Sequence, residues 1–184
     1  MKPILFLDID GATAVAPSPG QPHLKKSWDR WAYTEILSAP LIYSPDLVDA
    51  LNTLNDTIEV RILSSWLLPE PRHKRPIDLL LPAFGLDSFT LAKPAPGSEN
   101  PDVPSEVMPK DKRWWKLNNV MDSIDNEKRP VIWVDDDLSR KYSSKFISSY
   151  AEDSGVPILL VKPFETKGIT PSDILRINHF INSI

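Results

Sequence analysis

Two groups of carboxylates stand at the ends of apolar runs. ILFLDIDGATAV, Ile4 to Val15, shows Asp8 and Asp10 after Leu7, then Gly11. VIWVDDDLS shows Asp135, Asp136 and Asp137 after Val134. A third apolar run, VRIL, is followed by Ser64 and Ser65. Single carboxylates in loops are ordinary helix caps or solvated turns. Two clusters that each close a strongly apolar run ask for more, because so many ionised carboxylates repel unless a cation lies among them. Hard oxygen ligands, few in number, suit Mg2+, which keeps some of its waters and takes other ligands from a substrate phosphate. A carboxylate beside such an ion can also attack phosphorus and form an aspartyl-phosphate.

Bringing three run ends together requires a sheet. Five short apolar runs read as buried strands: Ile4 to Leu7, Val60 to Leu63, Phe89 to Leu91, Val131 to Val134 and Ile158 to Val161. Helical patterns alternate with them. SPDLVDALNTLN offers Ser44 as N-cap, Pro45 in the first turn, and Leu47, Val48, Leu51 and Leu54 on one face. RPIDLLLPAFG predicts a short helix. WKLNNVMDSID places Leu117, Val120, Met121 and Ile124 at helical spacing. KYSSKFISSYAEDSG ends on Gly155, and TPSDILRINHFINSI starts from Thr170 as N-cap. This alternation predicts an α/β fold, a Rossmann-like three-layer sandwich around a five-stranded parallel sheet. Ligands of such sheets bind beyond the carboxyl ends of the strands. The chemistry predicts the order 3-2-1-4-5 for the five runs, which sets the Asp8 strand between the Ser64 and Asp135 strands.

Length and composition are compatible with one domain over 1–184, with 41% hydrophobic residues to build its core. Insertions are expected at about 12–43 and 66–115, forming a small or minimal cap. The 19 prolines, about twice the usual share, concentrate there: Pro17 to Pro22, Pro69 to Pro82 and Pro94 to Pro109. The 25 acidic and 21 basic residues argue against general adhesion to nucleic acid, while leaving room for a local basic groove. Cysteine is absent, which excludes disulfides and thiolate metal sites. No run is long enough to cross a bilayer, and acids interrupt the first apolar run at once, unlike a signal peptide. The expectation is a cytoplasmic protein with no membrane partner.

LDIDGA, LSSW, a lysine before the fourth strand, and WVDDDLS resemble the four motifs of the haloacid dehalogenase (HAD) superfamily of phosphotransferases. Within it the chain is most similar to the HAD domain of Swiss Army Knife RNA repair proteins, through SSW, WVDD and the tail LLVKPFETKGITPSDILRINHFI. The resemblance implies a Mg2+-dependent phosphatase. Asp8 would be the nucleophile and a metal ligand. Asp10 would be the general acid and then the base, with its backbone carbonyl on the metal. Ser64, or Ser65 in its place, would bind phosphoryl oxygens. Asp135 would hold Mg2+, directly or through water, and Asp136 would support it. Lys116 would neutralise the phosphate and nucleophile, with Lys110 and Lys112 as alternatives. One position departs from the pattern: Ala12 stands where the family has Thr or Val, and Thr13 follows it.

The substrate expected from the resemblance is a phosphorylated RNA or DNA end. The alternatives are a small-molecule phosphatase such as a nucleotidase, and a non-catalytic phosphate- or partner-binding module. Two stretches bear on this choice. KKSWDRW and KDKRWWK interleave bases with Trp28, Trp31, Trp114 and Trp115. Such a pattern either stacks nucleobases and meets phosphates or simply packs under a loop. On the first reading Trp114 or Trp115 stacks on a terminal base while Lys112 and Arg113 meet phosphates. His23, His73 and His179 show no metal-ligand spacing.

Overall fold

A computed structural model describes residues 1–16, 27–67, 75–93, 115–139 and 143–184. The five runs form one parallel sheet. Its strands are β1 (Ile4–Leu7), β5 (Glu59–Ile62), β6 (Thr90–Leu91), β7 (Val131–Val134) and β8 (Ile158–Val161). The strand order is β6-β5-β1-β7-β8. Among the five runs alone the order reads third, second, first, fourth, fifth.

β1 and β7 are buried at every position, which is why their sequences are continuously apolar rather than alternating. β1 pairs in register with β5 on one side and β7 on the other, Leu7 lying opposite Ile62 and Val134. The chain leaves β1 in one direction through α1 (Pro45–Asn55) and α2 (Ile77–Phe84). It returns in the other through α3 (Trp115–Glu127) and α4 (Ser143–Ser154). Right-handed crossovers therefore set the two pairs on opposite faces. α3 packs on β7 and α4, and α5 (Pro171–Ser183) packs on β8. No described helix is long and apolar enough to cross a membrane.

The helix starts follow their caps. Ser44 Oγ accepts from the Leu47 amide at 3.3 Å. At α5, Thr170 and Asp173 form a reciprocal capping box, each side chain accepting from the other's backbone amide. The α1 stripe of Leu47, Val48, Leu51 and Leu54 is buried. α2 ends at Gly85, whose φ of 73° lets it accept the left-handed position.

The expected insertion at about 12–43 holds an element the sequence reading did not distinguish. β2 (Ala14–Val15), β3 (Ala32–Ile36) and β4 (Ala39–Tyr43) form a separate antiparallel sheet of order β2-β4-β3. Its hairpin turn consists of Leu37 and Ser38, both at positive φ, 50° and 65°. Such two-residue turns favour Asn-Gly or Asp-Gly, so the usual sequence signal is missing. Pro40 also reads as a strand breaker. It is tolerated because, among the described residues, β2 pairs only with Ile42 and Tyr43 of β4, so no described strand faces Pro40 on that side. Tyr43 stacks on Phe84 of α2, with ring centroids 4.3 Å apart, and ties the small sheet to the main body.

Candidate active site

Among the described residues, three ionisable side chains are buried, and they come from three separate elements. Asp8 follows β1, Lys116 lies in the first turn of α3, and Asp135 follows β7. Lys116 Nζ donates to Asp8 Oδ2 at 2.7 Å and to Asp135 Oδ2 at 2.9 Å. The outer oxygens are held by backbone: the Ile9 amide donates to Asp8 Oδ1 at 2.8 Å and the Asp137 amide to Asp135 Oδ1 at 2.9 Å. Buried charges are tolerated only when paired in this way. The pairing register of β1 with β7 sets the two carboxylates side by side.

Asp136 joins them. Oxygens of Asp8, Asp135 and Asp136 lie within 4.8 Å of one another. One ammonium against three carboxylates leaves the cluster too acidic. Burial, and then the Asp8 charge, push Asp135 well above the carboxylate range. The same causes raise Asp136 to about 6. Burial alone would lower the Lys116 ammonium, but the charges of Asp8 and Asp135 and its bonds to both hold it above the ordinary lysine value. A small divalent ion fits here. With metal–oxygen distances of about 2.1 Å its opposite ligands stand ~4 Å apart, within the observed span. Each carboxylate also keeps lone pairs beyond those its hydrogen bonds use.

Ser64 lies two residues beyond the end of the neighbouring strand β5. The Leu63 amide donates to Leu7 O at 2.8 Å, which brings Ser64 alongside Asp8. Ser64 is fully buried, and its Oγ has no hydrogen-bond partner among the described residues. An unsatisfied buried hydroxyl costs about 1–3 kcal/mol, and a ligand oxygen would remove that cost. Ser65 instead opens a 3-10 turn, Ser65–Leu67, and is partly exposed. The structure thus separates the two serines.

The Asp10 carboxylate is exposed and is not one of the three clustered carboxylates. Its Oδ2 accepts from the Trp66 indole Nε1 at 2.7 Å. Sequence reasoning gave Trp66 no role in the site and considered Thr13 only as a stand-in for Ala12. Thr13 Oγ1 donates to the Asp8 backbone oxygen at 2.8 Å and is buried. Ala12 is fully buried, and its carbonyl accepts from the Ile169 amide at 2.8 Å. The Ala12 position is therefore a packed backbone junction, and the neighbouring Thr13 hydroxyl braces the end of β1. Only the adjacency of Trp66 to the serine pair hinted at its place.

Gly11 makes the approach of the two acidic loops possible. Its φ is 66°, and a Cβ there would fall 2.5 Å from Asp136 Cγ. Gly11→Ala is expected to lose about 1–2 kcal/mol from backbone strain and to displace Asp136. The measurement is thermal melting, in which the mutant's midpoint should fall.

Of the residues expected to stack on a base or meet phosphates beside it, only Trp115 is among the described residues, and it does not stack. Trp115 is buried at the start of α3, so it offers no face to a base. Trp28 Nε1 donates to Ile169 O at 2.8 Å and Trp31 Nε1 to Trp28 O at 3.1 Å. Arg30 is held by Asp46 and by Asp49, at 2.8 Å from the latter. Trp133 is a core residue of β7. Trp28 and Trp133 pack in or against the core, Arg30 is exposed but paired, and the buried Trp115 Nε1 has no hydrogen-bond partner among the described residues. Lys110, Lys112, Arg113 and Trp114 lie outside the described residues. A groove of about 600 Å³ between β6 and α3 is a separate feature. The Arg61 guanidinium there is bonded to Glu127, 2.8 Å from Nη2, and to Glu59 at 2.7 Å, so its charge is already met.

Comparison of the chain with protein-family models, with curated proteins and with solved structures finds no match in any of the three.

Proposed function

We propose that the chain is a Mg2+-dependent phosphatase of the HAD type that works through an aspartyl-phosphate on Asp8. The observation that carries this reading is the convergence of Asp8, Lys116 and Asp135, the buried charges of the described chain, at the carboxyl ends of adjacent strands. The motif resemblance supports the same assignment. Asp8, Asp135 and Asp136 would hold Mg2+, which supplies positive charge to the phosphoryl oxygens.

The remaining chemistry belongs to the chain. Lys116 neutralises Asp8 so that an anionic phosphate can approach it. Ser64 Oγ donates to a phosphoryl oxygen. The Asp8 carboxylate attacks phosphorus as the bond to the leaving oxygen breaks, and Asp10 gives that oxygen its proton. Asp10, now ionised, takes a proton from water. That water attacks phosphorus and breaks the Asp8–phosphorus bond, which returns the carboxylate and releases inorganic phosphate.

The test is turnover of an aryl phosphate with Mg2+ and with chelator. Mg2+-dependent release of phosphate is expected. A protein that binds phosphate esters without turning them over is instead the non-catalytic module. Asp10→Asn should lose roughly 10²- to 10⁴-fold on an alkyl phosphate. Its loss on an activated aryl phosphate should be smaller, because a good leaving group needs no proton. Equal losses would make Asp10 a structural residue.

For the substrate, a phosphorylated RNA or DNA end follows from the resemblance. The burial of Trp115 and the internal bonds of Trp28, Trp31 and Arg30 favour a second reading, a small-molecule phosphatase. Phosphorylated oligonucleotides compared with free nucleotides and sugar phosphates, at two salt concentrations, separate the two. A polynucleotide substrate should show a steep salt dependence from counterion release.

A further inference from the structure

Asp10 is exposed, and an exposed carboxylate on a loop samples several rotamers. A general acid has to present one particular oxygen to the leaving group. The described residues provide a device for this. The Trp66 indole donates to Asp10 Oδ2 at 2.7 Å. An indole N–H can only donate, so Oδ2 must be the accepting oxygen.

We propose that Trp66 is a positioning residue that holds the Asp10 carboxyl in one orientation for the proton transfers. The proposal rests on the phosphatase reading and deepens it. The 3-10 turn that carries Trp66 begins directly after Ser64. The Leu67 amide donates to Ser64 O at 3.0 Å, and Leu67 is fully buried. One anchored turn therefore carries both the hydroxyl proposed to seat the phosphoryl group and the indole that holds the acid. In the first step Asp10 gives its proton to the leaving oxygen as the phosphorus–oxygen bond breaks. In the second step it takes a proton from the attacking water, and the indole holds the carboxyl through both.

The test uses Trp66→Phe, which keeps a ring and loses the donor, and Trp66→His. Imidazole Nε2 stands the same number of bonds from Cβ as indole Nε1, so His restores a donor without the second ring. Each variant is compared with the wild type on an alkyl and an activated aryl phosphate, with melting curves recorded alongside. Trp66→Phe is expected to lower kcat on the alkyl phosphate roughly 10-fold, a part of the ~10²–10⁴ that proton transfer contributes. Its aryl loss should be several-fold smaller, and KM should stay the same. Trp66→His should recover most of the alkyl loss. In an Asp10→Asn background Trp66→Phe should add nothing further, since the two act as one unit.

Equal losses on both substrates, a His variant no better than Phe, or additivity with Asp10→Asn would each overturn the positioning role. The phosphatase reading would stand in all three cases. A wild-type protein with no Mg2+-dependent turnover of either ester would overturn the phosphatase reading itself and this role with it. If the Phe variant melts well below the wild type, the His variant against wild type decides the matter by the same alkyl-to-aryl ratio.

Discussion

Asp8→Asn is expected to abolish turnover while leaving the fold intact. The amide is nearly the size of the carboxylate, but it is not a nucleophile toward phosphorus, so no covalent intermediate can form. The fold should survive because Lys116 keeps its second partner, Asp135, at 2.9 Å. Stability without metal should hold or rise. Asp8 is one of the charges that push Asp135 and Asp136 up, and its removal relieves both. The pH dependence gives a further check. A carboxylate whose folded value is raised destabilises the fold when it ionises. The penalty from Asp136 therefore grows from its ordinary 3.8 and is complete above about 6. Metal-free wild-type protein should lose stability across that window, and Asp8→Asn should lose less. Phosphate release by the purified variant at a rate near the wild type would refute the nucleophile assignment.

Lys116→Met is expected to damage both fold and activity. Met fills similar volume but leaves Asp8 and Asp135 buried with no cation between them. Breaking one side of a buried ion pair costs about 3–5 kcal/mol. For a chain of this size that is a fall in melting temperature of about 6–20 °C. Mg2+ should restore part of it, since the ion brings positive charge to the same carboxylates. Turnover with saturating Mg2+ should still fall, by roughly 10²- to 10³-fold, because the lysine charge is fixed in place before the reaction. The check is a melting curve at several Mg2+ concentrations beside steady-state kinetics. A metal-free variant as stable as wild type would show that the cluster does not need the ammonium. Lys110 or Lys112 would then be the better candidate for the lysine.

Each of the five runs was legible because its pattern follows from burial. Continuous apolar runs arise when both faces of a strand are covered, as in β1 and β7. Helix starts were legible because Ser44 and Thr170 act on amides within three residues, a distance the sequence itself displays. The meeting of Asp8, Asp135 and Asp136 was legible because each follows an apolar run and the runs pair in one sheet. The hairpin of β3 and β4 was not, because Leu37 and Ser38 take positive φ without glycine or asparagine, a strain supported by the strands around them.

What only the tertiary structure decided is which side chains face each other across long stretches of chain. In sequence Lys116 was one lysine among several near the start of a helix. It becomes the partner of Asp8, 108 residues away, and of Asp135, through the placement of α3 beside β7. Ser64 and Ser65 differ by one position, which for backbone leaving a strand is enough to bury one and turn the other outward. Trp115 and Trp66 have the same composition signal. The fold buries one and sets the other's N–H on Asp10. A residue's type and its neighbours in sequence set what it can do. Which partner it meets depends on contacts between distant segments, and those are settled only when the sheet closes its register and the helices pack upon it.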